Sequence, residues 1–201
     1  MDRDIPDLPA TTPPSPPDST ATVLRAAVFA AGVHAGHRRK GAAQEPYVNH
    51  VLEVALILAT HGAPLSAVLG GLLHDVVEDS TEDSVPTTLS DLEAEFGPEI
   101  AGIIAEVSDD KTLPKETRKA LQIRRASESS DAAKQVKLAD KISNLRSIMS
   151  SPPAGWDHAR RLEYLGWAGR VAAGLKGVNA ALDAVFETTY RDAVLRLAAE
   201  A

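Results

Sequence analysis

The clearest chemical potential in this sequence lies in the stretch Leu72-Leu73-His74-Asp75-Val76-Val77-Glu78-Asp79. Two polar side chains placed together near the end of an apolar helix are costly unless something uses them. A His beside an Asp can offer one imidazole nitrogen and one carboxylate oxygen to a common cation. Alone, the dipeptide is a weak signal and reads more readily as a solvated helix end. Glu78 and Asp79 follow four residues after His74 and Asp75, so a continuing helical turn would stand the second pair beside the first. Four ionisable groups crowded in this way repel one another when bare, and a divalent cation relieves the repulsion. The competing reading is the acidic edge of a solvated loop.

Two further residues could complete such a site. His50 lies in Pro46-Tyr47-Val48-Asn49-His50, near an apolar face made by Val48, Val51 and Val54, where a lone His can also be a satisfied core residue. Asp140 lies in Val136-Lys137-Leu138-Ala139-Asp140-Lys141-Ile142-Ser143-Asn144. An Asp inside a helix has poor propensity and needs a reason; an ion pair with Lys137 would be an ordinary one. Together, His50, His74, Asp75 and Asp140 offer two imidazoles and two carboxylates. The chain has no cysteine, so the donors are nitrogen and oxygen, which suit Mn, Fe, Zn, Co or Ni. In a six-coordinate ion this set leaves positions for water and substrate, as hydrolytic catalysis requires.

The elements that must position these residues read as helices throughout. Apolar residues Val23, Ala26, Ala27, Ala30 and Val33 predict a helix from Ser19 or Thr20 to about Gly36. A second is expected from Asn49, as N-cap, to His61-Gly62, and a third from Pro64 to about Val77. Ser90-x-x-Glu93 reads as a capping box for a short helix ending at Gly97, and Pro98 opens another to Val107. Further helices are expected from Pro114 to Glu128, from Asp131 to Met149, from Asp157 to Val178 and from Asn179 to Ala201. No segment alternates with period two. The class is all-α, a single bundle of about eight to nine helices spanning 19–201. Residues 1–18 carry six of the thirteen prolines and too little apolar surface to order themselves, so they read as a disordered tail.

Bulk composition narrows the function. Hydrophobic residues make up 44% and aromatics 4%, with Ala and Leu dominant, as helices prefer. No apolar run approaches the roughly 18 residues of a membrane span, and the start does not look like a signal peptide; a cytoplasmic protein is the expectation. A net charge of -7 argues against general nucleic-acid binding. A small anionic substrate needs only a local basic pocket, for which Arg38-Arg39-Lys40, Lys111 with Lys115, and Lys134 with Lys137 and Lys141 are available.

The order His50, His74-Asp75, Asp140 resembles the H…HD…D signature of HD-domain phosphohydrolases. The surrounding words resemble the RelA/SpoT hydrolase type: Arg38-Arg39-Lys40 before Pro46-Tyr47-Val48-Asn49-His50, Leu72 to Asp79, Asp109-Asp110-Lys111-Thr112-Leu113-Pro114-Lys115, Val136 to Arg146, and Gly155-Trp156 with Arg160 and Tyr164. The resemblance runs from about residue 22 to 195 and is greatest to the stand-alone small alarmone hydrolases, including metazoan members. It implies hydrolysis of guanosine tetra- and pentaphosphate (ppGpp and pppGpp) at the 3′ position with release of pyrophosphate, usually with manganese (Mn2+). It implies that His50, His74, Asp75 and Asp140 bind the metal and that Glu78 and Asp79 position and deprotonate water or supply a proton. Arg39 would lie against guanine and Asn144 would touch ribose. Lys40, Lys111, Arg160 and Tyr164 would contact phosphates or line the pocket, and Ser147 would face the nucleotide.

Two other functions stay open on the residues: a phosphatase acting on another 2′- or 3′-phosphorylated nucleotide such as NADPH, and a catalytically idle nucleotide-binding module. His34 reads as helix packing or support for the site, and His37, His61 and His158 as ordinary. The sequence departs from the family pattern at Val51, where proline is usual, and in a longer loop from Glu78 to Thr88.

Overall fold

The computed structural model describes residues 19–80 and 87–200. The proposed tail, the stretch 81–86 of the longer loop and Ala201 lie outside the described residues. Nine helices occur among them: α1 (Ser19–Val33), α2 (Val48–Thr60), α3 (Leu65–Leu73), α4 (Leu89–Phe96), α5 (Pro98–Val107), α6 (Lys115–Arg125), α7 (Asp131–Ser150), α8 (His158–Leu175) and α9 (Ala180–Ala198). No strand is found among the described residues, only the isolated bridges Arg38↔Pro46 and Gly41↔Pro153. The fold is all-α, as the sequence predicts.

The core is organised around α7, which packs against α2, α3, α5, α8 and α9. A helix surrounded on so many sides buries residues all round its circumference, and α7 buries Val136, Leu138, Ala139, Ile142, Leu145 and Ile148. It also buries Lys141 and Ser143, polar groups that require partners inside the protein. Helix α3 is buried without a break from Ala67 to Leu73. Close packing against α2 depends on Gly71, where a Cβ would fall 2.6 Å from Leu58 Cδ1 and 3.3 Å from Ala55 N. The fit fixes the end of α3, and therefore His74, against α2.

Several helix ends differ from the sequence expectation. Helix α2 begins at Val48, not behind an Asn49 cap, because the carbonyls of Pro46 and Tyr47 already accept the amides of Asn49 (3.1 Å) and His50 (2.9 Å). The capping box of α4 is Thr88 with Asp91, not Ser90 with Glu93: the Thr88 hydroxyl accepts from Asp91 N at 3.2 Å and Asp91 accepts from Thr88 N at 2.8 Å. That start turns Leu92 fully into the core. Helix α1 stops at Val33, α3 at Leu73, α6 at Arg125 and α8 at Leu175, each short of its expected end. Asp157 and Asn179 cap α8 and α9 as their residue types predict.

Candidate metal centre and adjoining cavity

Three helices converge to bring the sequence's scattered donors together. His50 comes from the first turn of α2, His74 and Asp75 from the turn closing α3, and Asp140 from the middle of α7. One donor atom each from His50, His74 and Asp140 lies within 4.8 Å of the other two. Nε2 of His50 is 3.2 Å from Asp140 Oδ1 and 3.8 Å from Asp75 Oδ2; Nε2 of His74 is 3.0 Å from Asp75 Oδ2 and 3.8 Å from Asp140 Oδ1. Ligands about 2.1 Å from one ion stand roughly 3 Å or more from their neighbours, which these separations match. Asp75 lies outside the mutual three-residue set, and its Oδ2 also accepts the Tyr47 hydroxyl at 2.6 Å.

Both imidazoles are held with Nε2 facing inward. Nδ1 of His74 is 2.9 Å from the Gly71 carbonyl, which can only accept, so Nδ1 keeps its proton and Nε2 is the nitrogen that an ion would take. Nδ1 of His50 is 2.9 Å from the Ser143 hydroxyl, which donates its one proton to Glu53 at 2.7 Å and therefore accepts from His50. His74 Nε2 is buried, with the Asp75 carboxylate 3.0 Å away. Two inward Nε2 atoms and two inward carboxylates are an arrangement that a divalent cation satisfies once it displaces the proton on His74, and the donor set fits such an ion.

The electrostatics express the same crowding. Burial pulls His50 below its usual range, against the pull of Asp140. Burial also works to lower His74, but the charge of Asp75 outweighs it and holds the imidazole up at about 9. Asp75 and Asp140 are pushed up by burial yet held well below the ordinary carboxylate range, Asp75 chiefly by His74 and Asp140 chiefly by Lys141. Lys141 is buried, places Nζ 2.8 Å from Asp140 Oδ2 and lies 4.8 Å from the Trp167 ring centroid.

The two acids of the following turn part company. The amide of Asp79 bonds the Asp75 carbonyl at 2.9 Å, so the chain does continue helically for a turn beyond α3. Glu78 lines a cavity with His74, Asp75, Asp140, Lys137 and Asn144. It accepts from Asp109 N at 2.7 Å, and burial raises its carboxyl above the ordinary value. Asp79 instead turns toward Lys111, whose Nζ lies 3.1 Å from Oδ1, and toward His34 and His37.

A second cavity adjoins the first, with Tyr47 and Asn144 in the lining of both. Arg39, Lys40, Ser147, Trp156 and Tyr164 complete its functional wall. Asn144 joins the halves: it donates to Asp140 Oδ1 at 2.6 Å and accepts from Arg39 Nη2 at 3.1 Å. Arg39 also lies 5.8 Å from the Tyr47 ring centroid. Burial pushes the Tyr164 hydroxyl up to about 12. The wall is closed by loop-to-loop bonding, with Ala154 N to Lys40 O at 3.1 Å, and by Gly41, where a Cβ would stand 2.4 Å from Ser151 Oγ. Lys111 and Arg160 are not among the residues lining either cavity. Lys111 is half exposed and paired with Asp79, while Arg160 lies 5.2 Å from the Trp156 ring centroid and pairs with Glu163.

Sequence reasoning passed over the supports: Ser143 and Glu53, which fix His50, and Lys141 as the partner of Asp140. The signal that could have found them is helical spacing, since Ser143 follows Asp140 by three residues and Glu53 follows His50 by three.

Comparison with known proteins agrees with this geometry. The HD domain family matches residues 26–165. The guanosine-3′,5′-bis(diphosphate) 3′-pyrophosphohydrolase MESH1 of Xenopus tropicalis is 45% identical over 174 residues, 86% of this chain and 94% of that protein. The human MESH1 is 44% identical over 174 residues, 85% of this chain and 94% of its own length. A solved structure described as a metazoan orthologue of SpoT that hydrolyses ppGpp superposes with a TM-score of 0.80 at 40% identity, covering 90% of this chain and 98% of the other.

Proposed function

The chain belongs to the HD domain family, and from that premise we propose that it is a stand-alone alarmone hydrolase, a manganese-dependent guanosine-3′,5′-bis(diphosphate) 3′-pyrophosphohydrolase. It cleaves ppGpp or pppGpp to GDP or GTP and pyrophosphate. The observation that carries the reading is the pair of histidines locked by Gly71 and by Ser143, each with its Nε2 facing the carboxylates of Asp75 and Asp140. His50, His74, Asp75 and Asp140 would hold the ion. A divalent cation there supplies a nucleophilic water near neutral pH and polarises the phosphoryl oxygen.

The chain's own residues do the rest. Glu78, raised by burial and lining the cavity beside the donors, takes a proton from the attacking water. Asp79 orients that turn through Lys111. Lys137 and Lys141 stand on the wall of the same cavity and offset charge on the 3′-diphosphate. Arg39 and Tyr47 flank the second cavity, where a purine has a guanidinium and an aromatic face to lie against, and Asn144 stands between purine and metal, at the position of the ribose. Lys40, Ser147 and Tyr164 line the remaining wall, with Arg160 behind Trp156. No helix of the described residues is long and apolar enough to cross a membrane. The substrate is an intracellular nucleotide, so this reading places the chain in the cytoplasm.

Incubation of the purified chain with ppGpp and Mn2+ is expected to give GDP and pyrophosphate in equal amounts. NADPH is tested in parallel, with inorganic phosphate as readout. Absence of pyrophosphate from ppGpp, or faster turnover of NADPH, would overturn the assignment.

A further inference from the structure

A second group of donors meets just outside the four-residue cluster. The chain leaves α1 in a turn that places His34 and His37 together, with His37 N bonded to His34 O at 3.0 Å and the two Nδ1 atoms 3.1 Å apart. Asp79 approaches them from the acidic turn, and one donor atom from each of the three lies within 4.8 Å of the others. His34 is 1% exposed, and its Nε2 has no hydrogen-bond partner. A partnerless imidazole nitrogen in the core is costly, which sets His34 apart from a residue that serves only to pack.

We propose that His34, His37 and Asp79 form a second divalent-cation site beside the first. Two imidazoles and one carboxylate, with a coordination position left open, suit a borderline ion such as zinc(II) or cobalt(II). The two sites share structure without sharing a ligand. Asp79 and Asp75 stand on successive turns, joined by the 2.9 Å bond from Asp79 N to Asp75 O. The rings of His34 and Tyr47 lie 4.9 Å apart and those of Tyr47 and His50 5.5 Å apart, with the Tyr47 hydroxyl on Asp75. Lys111 is the competitor: its ammonium sits 3.1 Å from Asp79 Oδ1, but at 49% exposure its stem can swing clear. The acidic turn would then serve both ions, Asp75 the inner one and Asp79 the outer one, and loading the outer site would displace Lys111 into solvent.

The test counts ions. Metal-stripped wild type, His37→Gln and His74→Gln are dialysed against zinc(II), and bound zinc per chain is measured by elemental mass spectrometry, with circular dichroism to check each fold. Two ions are expected for wild type and one for each variant. Equal counts in wild type and His37→Gln would overturn the second site. Failure of the four-residue site reads differently: His74→Gln would then bind as much zinc as wild type while His37→Gln binds less. Lys111→Ala gives an independent measure, since loss of the competing ammonium is expected to tighten the weaker zinc site several-fold. Unchanged affinity there would also count against it.

Discussion

The metal half of the site and the nucleotide half are built in opposite ways. Each donor of the metal half is carried by a helix or by the turn that closes one, and each imidazole is pinned through its second nitrogen, His74 by its own helix and His50 by α7. The nucleotide half is made largely of loops. Arg39 and Lys40 follow α1, Trp156 precedes α8, and the two segments are held by the single bridge Gly41↔Pro153 and one amide bond. A few tenths of an ångström decide whether four donors share an ion, and helices packed on a common core hold such tolerances. A nucleotide presents many contacts, each worth little, and loops can adjust to it. The difference teaches where damage should be absolute and where it should be graded.

Substitution of Asp140 should show the absolute kind. Asp140→Ala is expected to lower kcat on the order of 10³-fold or more with ppGpp and Mn2+. The same change strands the buried Lys141 ammonium, which costs about 3–5 kcal/mol of stability. The stability effect is isolated in the double variant Asp140→Ala, Lys141→Met, which should melt close to wild type while staying inactive, since it lacks both Asp140 and the Lys141 ammonium on the cavity wall. Recovery of activity together with stability would mean that Asp140 serves only to neutralise Lys141.

Removal of a support should be milder and reversible. In Ser143→Ala, His50 loses the acceptor that keeps its proton on Nδ1. Loss of such an outer partner typically weakens metal binding about 10–100-fold, so activity should fall at limiting Mn2+ and return at high Mn2+. A kcat loss that excess metal does not repair would show that Ser143 acts on substrate.

Acidity should divide the halves as well. His74 is held up at about 9, so in the metal-free chain it carries a proton through the neutral range that an ion must displace. Lowering the pH below 9 therefore weakens Mn2+ binding, by about ten-fold per pH unit for one displaced proton. His50, held low by burial, adds no proton there, and Tyr164, near 12, does not titrate in that window. Between about pH 7 and 9, KM for ppGpp at saturating Mn2+ should stay nearly flat while the metal Kd falls steeply. A KM that tracks the metal curve would merge the two halves into one.

Legibility from sequence followed the same division. The helices of the described residues and the candidate donors were readable because each is local or periodic: the apolar spacing of α1, the His74-Asp75 pair, and an Asp140 whose type is disfavoured inside a helix. Glu78 and Asp79 read as one unit, since sequence gives their spacing but not the rotation that sends one carboxylate into the cavity and the other toward His34 and His37. The meeting of His34, which reads as packing, with His37 and Asp79 depends on how α1 docks beside the end of α3. No periodicity encodes that docking. Lys111 and Arg160 read as cationic clamps, whereas their neighbours Asp79 and Glu163, brought up by folding, engage both.

Arg39 gives the smallest and most discriminating effect. Its guanidinium spans the boundary, donating to Asn144 at 3.1 Å while lying 5.8 Å from the Tyr47 ring centroid, and Asn144 in turn holds Asp140 at 2.6 Å. If it acts on the purine, Arg39→Ala removes a stacking and charge contact worth about 1–2 kcal/mol, so KM should rise about ten-fold with kcat within a factor of a few. If it acts instead by tensioning Asn144 against Asp140, the loss should appear in kcat and in Mn2+ affinity. Arg39→Lys separates the two further: a lysine keeps the charge but neither the planar face nor the fork, so a purine contact is lost with it, whereas a purely electrostatic role survives. A KM effect shared by both variants, with the metal Kd unmoved, is the outcome that keeps the two halves of the site independent.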